Sequence, residues 1–144
     1  MINVHLSSKA GSGGVYGIVR PPVDPAEPAR IAQVRAVRDF VRGLPHDANR
    51  TVIVLGDFNA FWYETPLLLL TGAEPAFRNL ALDEPPLERI SYVFEGNSQS
   101  LDHMLVQLGN DQAASMQALH VNSVQPDSRR VSDHDPKLVR ITFP

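Results

Sequence analysis

Two short stretches of this sequence hold carboxylates, an amide and an imidazole in an order that hydrolytic chemistry could use. Gly56-Asp57-Phe58-Asn59 follows the apolar run Thr51 to Leu55, and α/β proteins commonly place ligand and catalytic groups at the C-terminal ends of buried strands. Asp57 and Asn59 stand two residues apart and could point to one side. The carboxylate suits a hard metal or an attacking water, and the amide suits a phosphate oxygen. An ordinary strand exit with an Asx-turn would use the same residue types. The second stretch, Ser132-Asp133-His134-Asp135-Pro136, offers a metal-binding carboxylate and a base titrating near neutrality. A polar loop closed by proline is the plainer account of it.

A third signal is Asp102 within Leu101 to Val106, LDHMLV. A carboxylate among apolar neighbours is costly to bury unless it is paired. It is well suited to hold an imidazole in one tautomer, and His134 is the expected partner. A half-exposed strand with Asp102 facing water is the alternative. His5, in the apolar run Ile2 to Leu6, is by itself more typical of a structural histidine. Arg35, Arg38 and Arg42 share one helix face, which reads as a solvated surface. Trp62 and Tyr63 suit either core packing or stacking on a nucleobase.

The elements that must position these residues follow from pattern. Ile2 to Leu6 and Thr51 to Leu55 read as buried strands, the second central and ended by Gly56. Between them, the Gly/Ser/Pro-rich loop Ala10 to Pro28 leads into a helix, with Asp24 as candidate N-cap and Pro25 in the first turn. Ile31, Val34, Val37 and Val41 form its apolar stripe, with Phe40 beside them, and Gly43 and Pro45 end it. In Thr65 to Leu80, Pro66 and the LLLL run suggest a short buried helix. Ile90 to Phe94 and Leu101 to Val106 read as a hairpin joined by the loop Glu95 to Ser100. Ala118 to Asn122 and Lys137 to Thr142 complete the strands. Helices alternating with strands, then a run of strands, imply a layered α/β fold with a mixed sheet.

Composition sets the outer bounds. The 144 residues are 43% hydrophobic and 20% charged, as in an ordinary globular domain. No run approaches the roughly eighteen apolar residues of a membrane span, and Met1 to Lys9 does not read as a signal peptide. The absence of cysteine excludes disulfides, thiolate metal sites and a thiol nucleophile. A net charge of −3 gives no bulk positive field for nucleic acid, although a local metal could neutralise phosphate.

The ordered set NVHL (Asn3 to Leu6), GDFN, SYVFEGNSQSLDH (Ser91 to His103) and SDHDP resembles the C-terminal half of endonuclease/exonuclease/phosphatase domains, the DNase I-like superfamily. Pro21-Pro22, the YVFEGN segment and His120-Val121-Asn122 are similar, more narrowly, to bacterial large extracellular nucleases. The resemblance covers residues 1–144 as a partial domain. It implies the C-terminal half of a DNase I-like layered α/β sandwich with a mixed, mostly antiparallel sheet.

Function is implied by the same resemblance: metal-dependent phosphodiester hydrolysis by a secreted, extracellular endonuclease acting on DNA or RNA. Mg2+ is the expected cofactor, with Mn2+ or Ca2+ as substitutes. Asp57 would bind metal or activate the nucleophile, and Asn59 would contact the scissile phosphate. Asp102 would orient His134, Asp133 would serve the metal, and His5 would bond the phosphate. Tyr92 and Phe94 would line the substrate groove. Either Asp57 or His134 could be the general base. The N-terminal half of such a domain, with its metal-binding glutamate, is the expected partner. Without it the chain is expected to be inactive, with the inner faces of TVIVL, LDHMLV and KLVRI open to water. A non-catalytic truncated module and a lipid or small-molecule phosphodiesterase are the competing readings.

Overall fold

The computed structural model describes residues 1–14, 17–72 and 76–143. Parts of the expected Ala10 to Pro28 loop and Thr65 to Leu80 segment, namely Val15, Tyr16 and Ala73 to Pro75, lie outside the described residues.

The centre is β2, Val52–Asp57. It pairs in parallel with β1, Ile2–His5, and antiparallel with β6, Asp102–Gln107. The short β3, Arg78–Asn79, adds antiparallel to β6, giving the order β1-β2-β6-β3. The sheet is therefore mixed and mostly antiparallel, as expected. Alternation along β2 divides its contacts between two layers. Val52 and Val54 face helix α1, Glu27–Arg42, and helix α2, Thr65–Thr71, in a cluster with Val34, Val41, Leu67, Leu70 and Leu105. Ile53 and Leu55 face the other way, against Leu80, Met104 and Val106, where Ala114, Met116 and Val139 also pack. The last three come from a two-stranded sheet of β7, Ala113–Ala118, and β8, Lys137–Thr142.

Several expectations are corrected here. TVIVL and LDHMLV are not left open: Val52, Val54, Leu105 and Val106 are all buried, while in KLVRI Val139 and Ile141 are half-buried and Leu138 is 55% exposed. Gly56 does not end β2 but lies inside it, bending through φ +131°. The expected hairpin partner of Ile90 to Phe94 is also different. β4, Tyr92–Phe94, folds back on β5, Asn97–Gln99, around Glu95-Gly96, both at positive φ. Turn formers in Asn97 to Gln99 concealed a strand, and Asp102 to Val106 is released to join the central sheet. Ala118 to Asn122 is mostly loop, since β7 ends at Ala118.

At the start of α1, Asp24 is not the N-cap. Ala26 takes that position without a side-chain bond, and Pro28 occupies the first turn. Asp24 is drawn away by Lys9 Nζ, at 2.8 Å, and by the Arg30 guanidinium. Of the apolar stripe, Val34 and Val41 are buried and Ile31 and Val37 half-buried, while Phe40 is exposed and Arg30 is wholly enclosed.

His103, 1% exposed, is a titratable group buried beside this core. Its Nε2–H donates to Ala60 O at 3.0 Å, and its Nδ1 lies 3.1 Å from Asn79 Nδ2. Burial, opposed by the Ala60 carbonyl and by Asp102, pushes its pKa down to about 4. The unfolded chain therefore binds this proton first. Stability carried by neutral His103 is complete above about 6.5 and is lost as pH falls toward about 4. Thermal melts should show Tm dropping through this window, and His103→Gln should melt lower at neutral pH but with a shallower acid slope. Gly56 provides a second test. A Cβ there would lie 2.0 Å from Val4 O and 3.0 Å from Asn3 Oδ1, in a backbone region closed to L-residues. Gly56→Ala should cost more than about 3 kcal/mol in urea unfolding, as strain and a broken β1–β2 pairing combine.

Candidate functional site

One rung of the central sheet carries three polar residues side by side. His5 is the register partner of Asp57, and Asp57 is the partner of Asp102. Residues opposite one another on adjacent strands point to the same face. Here it is the face of Leu55 and Met104, toward the β7–β8 layer. The loop entering β8 reaches over this rung and brings His134 with it. His134 Nδ1 lies 2.7 Å from Asp102 Oδ2, while its Nε2 lies 3.9 Å from Asp57 Oδ2. His5 Nε2 approaches the same Asp57 oxygen at 3.5 Å, on a side chain that is 77% exposed. Residues from positions 5, 57, 102 and 134 thus meet, as the sequence led us to expect.

Asn59 completes the group from below. Its backbone N–H donates to Asp57 Oδ1 at 2.7 Å, and its side-chain Nδ2 donates to Asp57 Oδ2 at 2.8 Å and to Leu6 O at 3.1 Å. Its Oδ1 accepts from the Lys9 amide at 3.3 Å. Both amide hydrogens are therefore engaged, and donation to a phosphate oxygen requires one of them to be released. As it stands, Asn59 orients Asp57. Its φ of +47° is one that Asn tolerates better than most residues.

The charges are mutually adjusted. Burial pushes the Asp57 carboxyl up, the Asn59 amide pulls it back, Asp102 raises it again, and His134 and His5 lower it, with a net rise. For His134 the hydrogen bond to Asp102 raises the pKa above its ordinary value; burial opposes this, and the charges of Asp102, Asp57 and Asp133 add to it. Because Asp102 is engaged at Nδ1, Nε2 is the ring nitrogen left to exchange a proton with something in the cleft. Tyr92 covers the imidazole, with ring centroids 4.6 Å apart and planes tilted by 37°. Phe94 stacks on Tyr92 at 6.2 Å and is half exposed. Burial and the charges of Asp133 and Asp57 raise the Tyr92 phenol.

Other expected site residues stand apart. Asp133 is exposed beside His134 and is felt through its charge. Among the described residues, no group of three His, Cys, Asp or Glu is arranged to hold a metal ion. Asp57 and Asp133 are thus too few to form a complete site for a hard cation. Trp62 and Tyr63 are exposed, packed edge to face, so neither is core. Arg35 and Arg42 are exposed and Arg38 half-buried.

A charged cluster that the sequence did not suggest supports Asn59 from behind. Lys9 Nζ reaches Asp24 at 2.8 Å and Glu64 at 2.9 Å and lies 5.0 Å from the centre of the Phe61 ring. Arg30, 0% exposed, donates to Ser7 O at 3.0 Å and binds Asp24. The separations of Lys9 from Asp24 and Glu64 are 15 and 55 residues. No local pattern could have shown that these side chains meet.

No protein-family model and no curated protein matches the sequence. Solved structures do. An endonuclease/exonuclease/phosphatase of Bacteroides vulgatus superposes with TM-score 0.62 at 16% identity, over 83% of this chain and 46% of that one. A mannosyl-6-phosphatase of Bacteroides thetaiotaomicron gives 0.59 at 20% identity, over 81% and 46%. The D. rerio TDP2 complex with a single-strand DNA product gives 0.61 at 17% identity, over 84% and 52%. This chain spans about half the length of these neighbours. Over the part that it spans, it has the α/β fold of DNase I-like endonuclease/exonuclease/phosphatase structures.

Proposed function

We propose that this chain carries the proton-transfer side of a phosphodiesterase site, most simply that of an extracellular endonuclease acting on DNA or RNA. The observation that carries the proposal is the constellation in which the Asp102–His134 pair, Asp57 and His5 crowd one face at the end of three adjacent strands. Phosphodiester hydrolysis needs an aligned water, stabilisation of the phosphoryl oxygens and a proton for the leaving oxygen. Asp102 holds His134 by Nδ1 and leaves Nε2 to take or give that proton. A raised Asp57 accepts a proton more readily than a free aspartate, so Asp57 and His134 share the acid and base roles between them. His5, exposed at the edge of the same rung, is placed to bond a phosphate oxygen. Asn59 keeps Asp57 in place and reaches substrate only by giving up an inward bond. The ledge of Tyr92 and Phe94 beside His134 gives a nucleobase or sugar a surface to lie on.

Mg2+, or Mn2+ or Ca2+ in its place, belongs to this proposal as the source of charge on the phosphate. Asp133 and Asp57 are its candidate ligands here. Hard cations of this size need about six oxygens. The remainder would be water and a carboxylate outside this chain, such as the glutamate of an N-terminal half-domain. The reading as a secreted enzyme rests on the resemblance to extracellular nucleases alone. A second reading, hydrolysis of a small phosphate ester, draws support from the mannosyl-6-phosphatase neighbour.

The test is kinetic. In a protein joining this chain to the N-terminal half of a related enzyme, His134→Ala and Asp57→Ala should each lower Mg2+-dependent nicking of plasmid DNA by at least about a hundredfold. Asp102→Asn should also slow it, because an amide does not stabilise the imidazolium. Near-parental rates in these variants would overturn the assignment, and cleavage of sugar phosphates but not of DNA would favour the second reading.

A further inference from the structure

His134 and Asp102 come from segments 32 residues apart, so something must fix one against the other. Ser91, completely buried, bonds Asp102 on one side and Asp135, the neighbour of His134, on the other. Its Oγ accepts from the Leu101 and Asp102 amides, each at 3.1 Å, and so sets the entry of β6. Its carbonyl accepts the Asp135 amide at 2.7 Å, next to His134, and its own amide donates to Gln99 O at 2.9 Å. One residue is thereby tied to Asp102 and to the residue that follows His134.

Asp135 anchors the other side of His134. Its side chain is fully enclosed, and four donors converge on it. These are the Asn122 and Ser123 amides at 2.8 and 2.9 Å, His120 Nδ1 at 3.0 Å, and the Ser123 hydroxyl. Burial alone would raise this carboxyl, but Ser123, His120 and Asn122 outweigh it and hold the group at about 2, ionised. The loop wrapped on it returns to His134, since Asn122 Nδ2 donates to His134 O at 2.7 Å. The His134 carbonyl and the next amide are thus both fixed, and Tyr92 bridges to His134 along the backbone.

We infer that Ser91 and Asp135 are positioning residues, which hold the His134 ring so that Nδ1 rather than Nε2 carries the proton shared with Asp102. Neither touches the cleft; they act through backbone. The inference rests on the reading of His134 as the proton-transfer group, because only there does the choice of ring nitrogen matter to a reaction.

The experiment reads the tautomer directly and needs no activity. The 15N-labelled chain is examined by NMR at a pH where His134 is neutral, its signals being identified by their loss in His134→Gln. The parent should show protonation at Nδ1. Ser91→Ala and Asp135→Asn should lose that preference and drift to the Nε2–H form that free imidazole favours, while still melting cooperatively. Ser98→Ala, on the exposed face of the same hairpin, should change nothing. Should either variant fail to fold, Asn122→Ala, which removes the bond to the His134 carbonyl, carries the same expectation. Folded variants that keep the Nδ1–H form, or an equal change in Ser98→Ala, would overturn the inference. Cleavage assays are not used, so failure of the proposed function would be seen separately.

Discussion

Asp57 and Asp102 face each other across the last rung of β2 and β6, and the site is organised around the repulsion between them. Like charges directly opposite on adjacent strands destabilise a sheet, and both side chains are mostly enclosed. The structure answers with donors rather than distance. Asp102 receives His134, and Asp57 receives the amide and side chain of Asn59, with two imidazole nitrogens within 4 Å. The answer is asymmetric. His134 is bonded tightly on the Asp102 side and stands off from Asp57, so the ring has one nitrogen committed and one free. An arrangement that relieves strain between carboxylates also creates a group able to move a proton.

That rung exists because of how β1, β2 and β6 are aligned. Gly56, pressed against the Val4 carbonyl, lets the parallel strand β1 lie close enough for His5 to fall beside Asp57. The same residue pairs with His103 on the other side. Because side chains alternate, Asp102 faces the cleft while its neighbour His103 faces the helices. Two adjacent residues of one motif thus do different work: one supports an imidazole, the other is itself a buried neutral imidazole.

Much of this was legible in the sequence where local pattern and tertiary role agree. An apolar strand ending in Asp57 and Asn59 says where a polar site must be, and Asp102 among apolar residues demands a partner. The layered, mixed-sheet fold followed from the order of strand and helix patterns. The misreadings have one physical origin, which is that tertiary partners override local propensity. Asn97 to Gln99 has turn composition yet forms a strand, because β4 lies beside it. Asp24 has the chemistry of a helix cap yet is taken by Lys9 and Arg30. Ser91 read only as part of a strand and Asp135 as part of a polar loop, because their importance lies in bonds to groups distant in sequence. Even Asn59, rightly placed, has its donors turned inward to Leu6 and Asp57.

The balance of charge in the cleft bears on what could bind there. Asp57, Asp102 and Asp133 are set against His134 and His5, so the cleft carries more carboxylate than its imidazoles can neutralise. An anionic phosphate entering alone would meet that excess at short range, where the low local dielectric strengthens it. Raising the pKa of Asp57 and of His134 lessens the repulsion, because both shifts favour the protonated form. Full relief needs positive charge brought from elsewhere, because Lys9 and Arg30 are bound to Asp24, Lys137 lies by Glu84 and Arg130 is paired with Asp127. A divalent ion arriving with the substrate would supply that charge and would use the very carboxylates that otherwise repel it. This electrostatic deficit is the physical ground on which the proposal of Mg2+ rests, and it explains why two carboxylates that form no complete metal site can still be suited to contribute to one.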